Sequence, residues 1–113
     1  MSEQDKVLLN AIQEMRRGTL VLAVLLQLDE PQYGYSLIEA LASKGLSIEQ
    51  NTLYPLMRRL EKMELLESTW QLEENRPRRY YQISEHGRNF RENLKSEWSE
   101  LTNVMTRLLH SEN

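Results

Sequence analysis

The chain has 113 residues, no cysteine and a formal net charge of −3. This length predicts one domain with a modest core, and the lack of cysteine excludes a disulfide framework and any thiolate metal site. The longest apolar run, Leu20 to Leu26, is far shorter than the roughly 20 residues that span a bilayer, and no charged and then apolar leader opens the chain. We therefore expect a cytoplasmic protein with no secretory signal and no membrane association.

The charge is unevenly distributed. Residues 1–50 carry 4 basic and 7 acidic side chains, residues 92–113 carry 2 and 4, and residues 51–91 carry 8 and 6. Between Arg76 and Arg91, five arginines accompany a single acidic residue, Glu85. Phosphate contacts depend on the local potential, which salt screens over about 8–10 Å. A basic central region on an acidic chain is therefore sufficient to bind a polyanion.

The first part of the chain predicts two helices. The first extends from about Asp5 to Leu28, and its second half, Thr19 to Leu28, is apolar almost all round and should be buried. Pro31 ends this helix, because the residue before proline is pushed out of the α region. The second helix covers about Tyr33 to Ser43 and ends at the glycine stop Lys44-Gly45.

A third helix begins between Ser47 and Asn51. Either Ser47 and Gln50 form a capping box or Asn51 caps the helix, and Pro55 is expected in or near the first turn. The predicted core face consists of Leu53, Leu56, Met57, Leu60 and Met63. The predicted polar face, which a DNA major groove would meet, consists of Asn51, Tyr54, Arg58 and Lys62.

The last third predicts a β-hairpin and one long helix. Ser68 to Leu72 and Arg79 to Ile83 are rich in aromatic and β-branched residues, and the polar turn Glu73 to Pro77 separates them. Ser84 is the expected N-cap of a final helix about 26 residues and roughly 39 Å long, too long for a small domain to cover. Its apolar residues follow a heptad pattern that favours a dimer seam over an ordinary core face. The seam residues are Leu94, Trp98, Leu101, Met105 and Leu108.

Four short motifs resemble the PadR family of bacterial transcriptional regulators. They are Tyr33-Gly34-Tyr35, Thr52-Leu53-Tyr54-Pro55-Leu56 with Arg59-Leu60-Glu61, Arg76-Pro77-Arg78-Arg79-Tyr80-Tyr81, and Ile83-Ser84-Glu85-His86-Gly87-Arg88. Their order and spacing cover about residues 18–98. The resemblance implies a mainly α fold with a small β-hairpin, namely a winged helix-turn-helix DNA-binding domain over residues 1–83. A long C-terminal dimerisation helix would follow over residues 84–113, with the first helix contributing to the same interface.

Two positions depart from the family pattern. Glu64 stands where many members have glycine after the third helix, and a left-handed conformation there costs a non-glycine residue about 1 kcal/mol. Asn75 stands where glycines often precede the Arg-Pro motif. Asparagine tolerates positive φ, so we expect the turn to form.

The candidate DNA contacts on the third helix are at its N-terminal half. Gln50, Asn51 and Thr52 are expected to reach base edges or phosphates, with simple helix capping by Asn51 and Thr52 as the alternative. Tyr54 either reaches a phosphate or packs in the core. Arg58 is expected to face DNA.

The candidate contacts on the hairpin are Arg76, Arg78 and Arg79. Because alternate strand residues point to opposite faces, Arg78 and Arg79 cannot enter the same groove. Arg76, at the tip, is the best candidate for a minor-groove or phosphate contact, and a solvated charge run is the alternative. Arg59 is expected to form an intramolecular ion pair instead of contacting DNA.

Trp98 has two interpretations. It packs against its symmetry mate in the dimer seam, or it also binds a flat aromatic ligand, as the resemblance to multidrug-binding relatives implies. An enzyme is not expected, because His86 and His110 lie far apart in sequence and no phosphate loop, metal cluster or nucleophile motif is present. No cofactor and no metal are expected.

The sequence therefore predicts a sequence-specific transcriptional regulator that binds double-stranded DNA. We expect a homodimeric repressor on a palindromic promoter site. Relief by a small aromatic effector belongs to the ligand-binding interpretation of Trp98, and the packing interpretation requires no effector. The alternative is a winged-helix adaptor that binds protein and not DNA.

Overall fold

The computed structural model describes residues 1–111, which form a helical body with a small antiparallel sheet. The elements in chain order are α1 (Glu3–Arg17), α2 (Leu20–Gln27), β1 (Gln32–Tyr33), α3 (Gly34–Ser43), α4 (Gln50–Lys62), β2 (Leu66–Glu73), β3 (Arg76–Ile83) and α5 (Glu85–Leu109). The strand order is β1-β3-β2. This confirms the predicted mainly α, winged helix-turn-helix fold with a long C-terminal helix. Residues 112 and 113 of the predicted C-terminal segment lie outside the described residues.

The predicted first helix is two helices, so that prediction was wrong at one point. Gly18 and Thr19 separate α1 from α2. The Thr19 hydroxyl donates to the carbonyl oxygen of Arg16 at 2.7 Å, a local bond that competes with the helical pattern. Glycine is also a poor helix former. Apolar periodicity continues across both residues, which is why the pattern did not predict the break.

The sheet contains one strand that the sequence did not predict. Gln32 pairs with Tyr81, and Tyr33 pairs with Tyr80, so β1 extends the hairpin at its β3 edge. A strand of two residues is too short to show a period of two. Its partner strand, β3, is nearly fifty residues away, so no local sequence pattern predicts β1.

Both predicted caps of the third helix were wrong. The N-cap of α4 is Glu49, in an extended conformation, and no side chain among residues 1–111 caps the helix there. Pro55, expected in or near the first turn, is the sixth residue of α4 and lies just beyond that turn. The hydrogen bond that proline lacks would have gone to the carbonyl of Asn51, which lies in the exposed first turn where water can satisfy it.

The hairpin strands are longer and the turn tighter than predicted. The turn consists of Glu74 and Asn75 alone, with φ of 50° and 64°, as a two-residue type I′ turn requires. The expected tolerance of Asn75 for positive φ is confirmed. Glu64 also has a positive φ of 64°, so this residue adopts the left-handed conformation despite its side chain.

The core lies between α2, α3, α4 and the base of the sheet. Its fully buried members are Val24, Leu25, Leu28, Leu37, Leu53, Met57, Leu60, Leu65 and Leu66. The predicted core face of α4 is buried except for Met63, which is 48% exposed because it caps the C-terminus of the helix.

Two glycines allow close approaches around this core. A Cβ atom on Gly34 would lie 2.0 Å from the ring of Tyr54, and one on Gly87 would lie 2.1 Å from the carbonyl oxygen of Leu65. Beside the second contact, the Ser84 hydroxyl accepts from the Gly87 amide at 2.9 Å, which confirms the predicted N-cap of α5. It also donates to the carbonyl oxygen of Glu64 at 2.6 Å. Helix α5 therefore leaves the sheet at a tightly fixed joint.

A second joint fixes α5 to α2. The side chain of Arg91 is 13% exposed, and its Nη1 atom donates to the Asp29 carboxylate at 2.8 Å and to the Leu25 carbonyl at 3.2 Å. The hydrogen bond from Arg91 lowers the pKa of the Asp29 carboxyl below its ordinary value of 3.8. The start of α5 is thus bound to the end of α2.

Candidate nucleic-acid interface

The N-terminus of α4 is open to a ligand. Gln50, Asn51 and Thr52 are all exposed, and within residues 1–111 the amides of Gln50 and Asn51 have no protein acceptor. Unpaired amides at a helix N-terminus carry partial positive charge and point towards solvent. This arrangement suits an anion such as a phosphate.

Further along α4, Tyr54 and Arg58 occupy the predicted polar face. Tyr54 is half-buried, since one edge of its ring packs against Gly34 and the remainder stays accessible. Arg58 is exposed, and no carboxylate in the described part of the chain lies within 4.0 Å of its guanidinium. Its charge is therefore available to a partner.

We call the β2–β3 hairpin the wing. Its strand register places its three arginines on different faces. Arg76 pairs with Glu73 and Arg78 with Gln71, whereas Arg79 pairs with Trp70. Since directly paired residues share a face and successive residues alternate, Arg76 and Arg78 lie on one face and Arg79 on the other. We call these the outer and the inner face of the wing.

On the outer face, Arg78 is partly engaged. Its Nε atom lies 3.4 Å from a Glu73 carboxylate oxygen, and its guanidinium lies 4.6 Å from the ring centre of Tyr33. The Tyr80 hydroxyl donates to the same carboxylate at 2.5 Å, and this bond raises the pKa of the Tyr80 phenol. Arg76 is exposed at the tip, with no carboxylate within 4.0 Å among residues 1–111.

On the inner face, Arg79 joins the wing to α4. Its Nη2 atom donates to Glu61 at 2.8 Å and its Nε atom donates to the Ser68 hydroxyl at 3.0 Å, while that hydroxyl donates to the second Glu61 oxygen. The guanidinium also lies 5.8 Å from the ring centre of Trp70 and 5.5 Å from that of Tyr81. Its charge is largely neutralised within the protein, and it fixes the inner face against the helix.

The expectation for Arg59 was wrong. No carboxylate in residues 1–111 lies within 4.0 Å of Arg59, and the glutamate of its own motif, Glu61, pairs with Arg79 instead. The two side chains are eighteen residues apart in sequence. Only the antiparallel return of the wing brings them together.

Between α4 and the wing lies an open cleft of about 250 Å³, which we call the helix–wing cleft. The residues that line it include Tyr33, Tyr54, Arg58, Trp70, Arg78 and Arg79. It therefore unites four of the predicted site residues from two elements. The sequence reasoning missed Tyr33 and Trp70. The available signal for Trp70 was its alternation with Ser68 and Leu72, which places it on one face of the hairpin.

The predicted dimer seam is uncovered in the single chain. Trp98, Leu101, Met105 and Leu108 are 46–64% exposed, and Leu94 packs against the core. Helix α1 is also uncovered, since none of its residues is buried. The radius of gyration is 16.9 Å, compared with about 13 Å for a compact domain of this length. The terminal helices therefore project from the body and expose apolar side chains.

A second groove runs between α2 and α5. It has a volume of about 470 Å³, and its walls include Val21, Leu22, Phe90, Leu94, Trp98 and Leu101. The lining is predominantly apolar, and the Trp98 indole forms part of one wall. We call it the α2–α5 groove.

Among the helices of residues 1–111, none combines the length and the hydrophobicity that a membrane span requires. No group of three or more histidine, aspartate or glutamate side chains in that part of the chain is arranged to hold a metal ion.

Comparison with known proteins supports the interpretation of the motifs. Residues 21–93 match the Transcriptional regulator PadR-like family. The crystal structure of a PadR family transcriptional regulator from Eggerthella lenta is 43% identical, with a TM-score of 0.90 over 96% of this chain and 97% of that chain. A PadR-like transcriptional regulator from Bacillus cereus is 29% identical, with a TM-score of 0.79 over 88% and 99%. An uncharacterized protein of Lysinibacillus sphaericus is 30% identical in a 94-residue alignment, which covers 79% of this chain and 86% of that protein. The chain therefore belongs to the PadR-like family of transcriptional regulators, which bind DNA and are not enzymes.

Proposed function

We propose that this protein is a homodimeric, cytoplasmic repressor that binds a palindromic promoter site. The observation that carries the proposal is the helix–wing cleft, where Arg58 of α4 faces wing arginines. Arg58 also shares a second surface with Gln50 and Asn51 of the uncapped helix N-terminus. Helix α4 would lie in the major groove and the wing on the neighbouring backbone, which is the docking geometry of helix-turn-helix proteins.

The site residues take distinct roles in this proposal. Gln50, Asn51 and Thr52 contact base edges or phosphate from the first turn of α4, where their amides are unpaired. Tyr54 and Arg58 contact phosphate. These contacts combine sequence readout with backbone positioning.

The three wing arginines contribute unequally. Arg76 binds the phosphate backbone or the minor groove, because its charge is not neutralised by the described residues. Arg78 adds a weaker contact, since Glu73 already pairs with it. Arg79 acts mainly by holding the wing against α4 through Glu61.

The homodimer would form through α5 and α1, with residues 1–83 as the DNA-binding unit and residues 84–113 as the dimerisation segment. The support is the exposed heptad seam at Trp98, Leu101, Met105 and Leu108. A parallel or antiparallel helix pair would cover these side chains. Two copies related by a two-fold axis would meet half-sites about one helical turn, roughly 34 Å, apart.

Repression would be relieved when a small aromatic effector enters the α2–α5 groove. Trp98 offers a flat ring for stacking there. Arg91 ties the start of α5 to α2, and α2 and α4 share one hydrophobic core. A shift of α5 would therefore be transmitted through α2 to α4 and change the spacing of the two α4 helices in the dimer.

The proposal is tested by titrating duplex DNA from the chain's own upstream region in a gel-shift assay. We expect sequence-specific binding whose affinity falls steeply with salt, because phosphate contacts release counterions. Absent or salt-insensitive binding would contradict the repressor and favour the protein-binding adaptor. A footprint on the same duplex would then show whether the protected site is palindromic.

A further inference from the structure

Trp70 is a large aromatic side chain in an unusual position. It lies on the inner face of the wing and is 66% exposed, although the core of the domain is only a few residues away along β2. Leu72, the next residue on this face, is 73% exposed. The inner face of the wing therefore changes from buried at Leu66 to open and apolar near the tip.

The surroundings of Trp70 are those of the proposed DNA interface. It lines the helix–wing cleft together with Tyr54 and Arg58 of α4. The exposed apolar seam of α5 involves other residues, so nothing assigns Trp70 to the dimer contact. If α4 lies in the major groove and the wing lies at the adjacent minor groove, the sugar–phosphate backbone of the DNA strand that separates the two grooves faces the cleft between these elements.

We propose that Trp70 contacts this strand: the indole ring packs against a deoxyribose, and its Nε1–H donates to a phosphate oxygen. The inference rests on the proposed function. Tryptophan suits the contact because it combines a broad apolar surface with one hydrogen-bond donor. Within residues 1–111, the Trp70 Nε1–H donates to no acceptor.

Arg79 orients the ring for this contact. The guanidinium lies 5.8 Å from the ring centre of Trp70 and is itself held by Glu61 and Ser68. An aromatic ring over a fixed cation has less freedom to reorient. Preordering a side chain in this way reduces the entropy lost when the partner binds.

Affinity provides the first test. On the upstream duplex that the wild-type protein protects, we expect Trp70→Ala to weaken binding roughly tenfold, because it loses both the apolar contact with the sugar and the hydrogen bond to the phosphate. Trp70→Phe, which keeps a ring but loses the donor, should weaken it about threefold. The slope of log affinity against log salt should stay unchanged in both variants, because no charge is removed. Met63→Ala is the matched control, since Met63 is 48% exposed but lies outside the cleft lining.

Fluorescence provides a second test that does not depend on affinity. The chain contains two tryptophans, Trp70 and Trp98, so Trp70→Phe reports on Trp98 alone. We expect saturating duplex to change the emission of the wild-type protein and most of that change to vanish in Trp70→Phe. Circular dichroism confirms that each variant is folded.

The outcomes separate the two proposals. If the wild-type protein does not bind the duplex, the proposed function fails and this inference fails with it. If the wild-type protein binds, but Trp70→Ala binds equally well and Trp70→Phe keeps the full emission change, only the contact by Trp70 is overturned.

Discussion

The body from α2 to β3, which we call the head, and the terminal helices α1 and α5 differ in how far they bury their apolar side chains. In the head, α4 buries Leu53, Met57 and Leu60 completely and turns its polar residues outward. In α5, Gly87 alone is buried among residues 85–109, and Leu101 and Leu108 remain more than half exposed. The head is complete within one chain, whereas α5 exposes the kind of surface that a second copy covers.

Under the proposed function, this contrast divides DNA binding and dimerisation between two parts of one small chain. A polar, charged surface on a finished core binds a polyanion without losing its shape. An uncovered apolar helix gains stability only when it is paired. Changes in the head should therefore alter DNA binding, and changes in the terminal helices should alter assembly.

The largest expected effect tests the seam on α5. In Leu101→Asp, two carboxylates would face each other in the proposed dimer interface, where desolvation disfavours the charge. We expect monomers in sedimentation at concentrations where the wild-type protein is dimeric, and loss of specific DNA binding.

Asn103→Asp is the control for the seam, because it adds the same charge at an exposed position off the heptad pattern. An unchanged dimer in Leu101→Asp would show that α5 does not form the interface.

The second effect tests the joint between the head and α5. A Cβ atom at Gly87 would overlap the carbonyl oxygen of Leu65, so we expect Gly87→Ala to lower the free energy of unfolding by about 3 kcal/mol. Chemical denaturation measures the loss. Gly18→Ala is the control, because a Cβ atom there meets nothing within 4 Å and its φ of −67° suits alanine. Equal stabilities for the two variants would contradict the close approach.

The third effect sharpens the distinction between the two wing faces. Arg76→Ala removes an exposed charge at the tip and should weaken DNA binding several-fold for all sequences, with a salt slope smaller by about 1. Gel shifts at several salt concentrations measure both quantities. Lys44→Ala removes an equal charge outside the wing and should leave the slope as it is. A change in site preference alone would mean that Arg76 reads bases instead of phosphate.

The smallest effect concerns the Arg91–Asp29 joint. Because the folded-state pKa of Asp29 is below its ordinary value of 3.8, the carboxylate stabilises the fold above that pH. This contribution disappears as the pH falls through the lowered pKa. We expect Asp29→Asn to be less stable than the wild type at neutral pH, and the difference to shrink below about pH 3.8.

Denaturant titrations at neutral and acidic pH measure the Asp29 difference. Glu30→Gln, which makes a similar acid-to-amide change at the exposed neighbouring position, is the control. A stability gap for Asp29→Asn that persists in acid would mean that the carboxylate does not support the joint.

Local chemistry made most of the fold predictable. The Ser84 cap, the glycine stop at Gly45 and the turn at Asn75 each follow from the conformational preference of one residue. The core face of α4 follows from its period. Such features depend on neighbours in sequence, which a pattern shows directly.

Features that depend on distant partners were not predictable. β1 exists because Tyr33 meets Tyr80 across the sheet, and the Glu61–Arg79 pair exists because the wing returns along α4. The sequence likewise gave no sign that Arg79 would be neutralised while Arg58 stayed available. Site residues could be chosen by type and position, but the pairing of their charges requires the three-dimensional structure.

The uncapped start of α4 makes the stability of its first turn depend on whether a ligand is bound there. A helix that carries its own cap has a stable first turn whether or not a ligand is present. In α4, the amides of Gln50 and Asn51 have no acceptor among residues 1–111. Under the proposed function, a DNA phosphate is that acceptor and takes the place of the absent side-chain cap. The exchange of these two amides with solvent should then slow in the complex, so that the recognition helix itself reports when its site is filled.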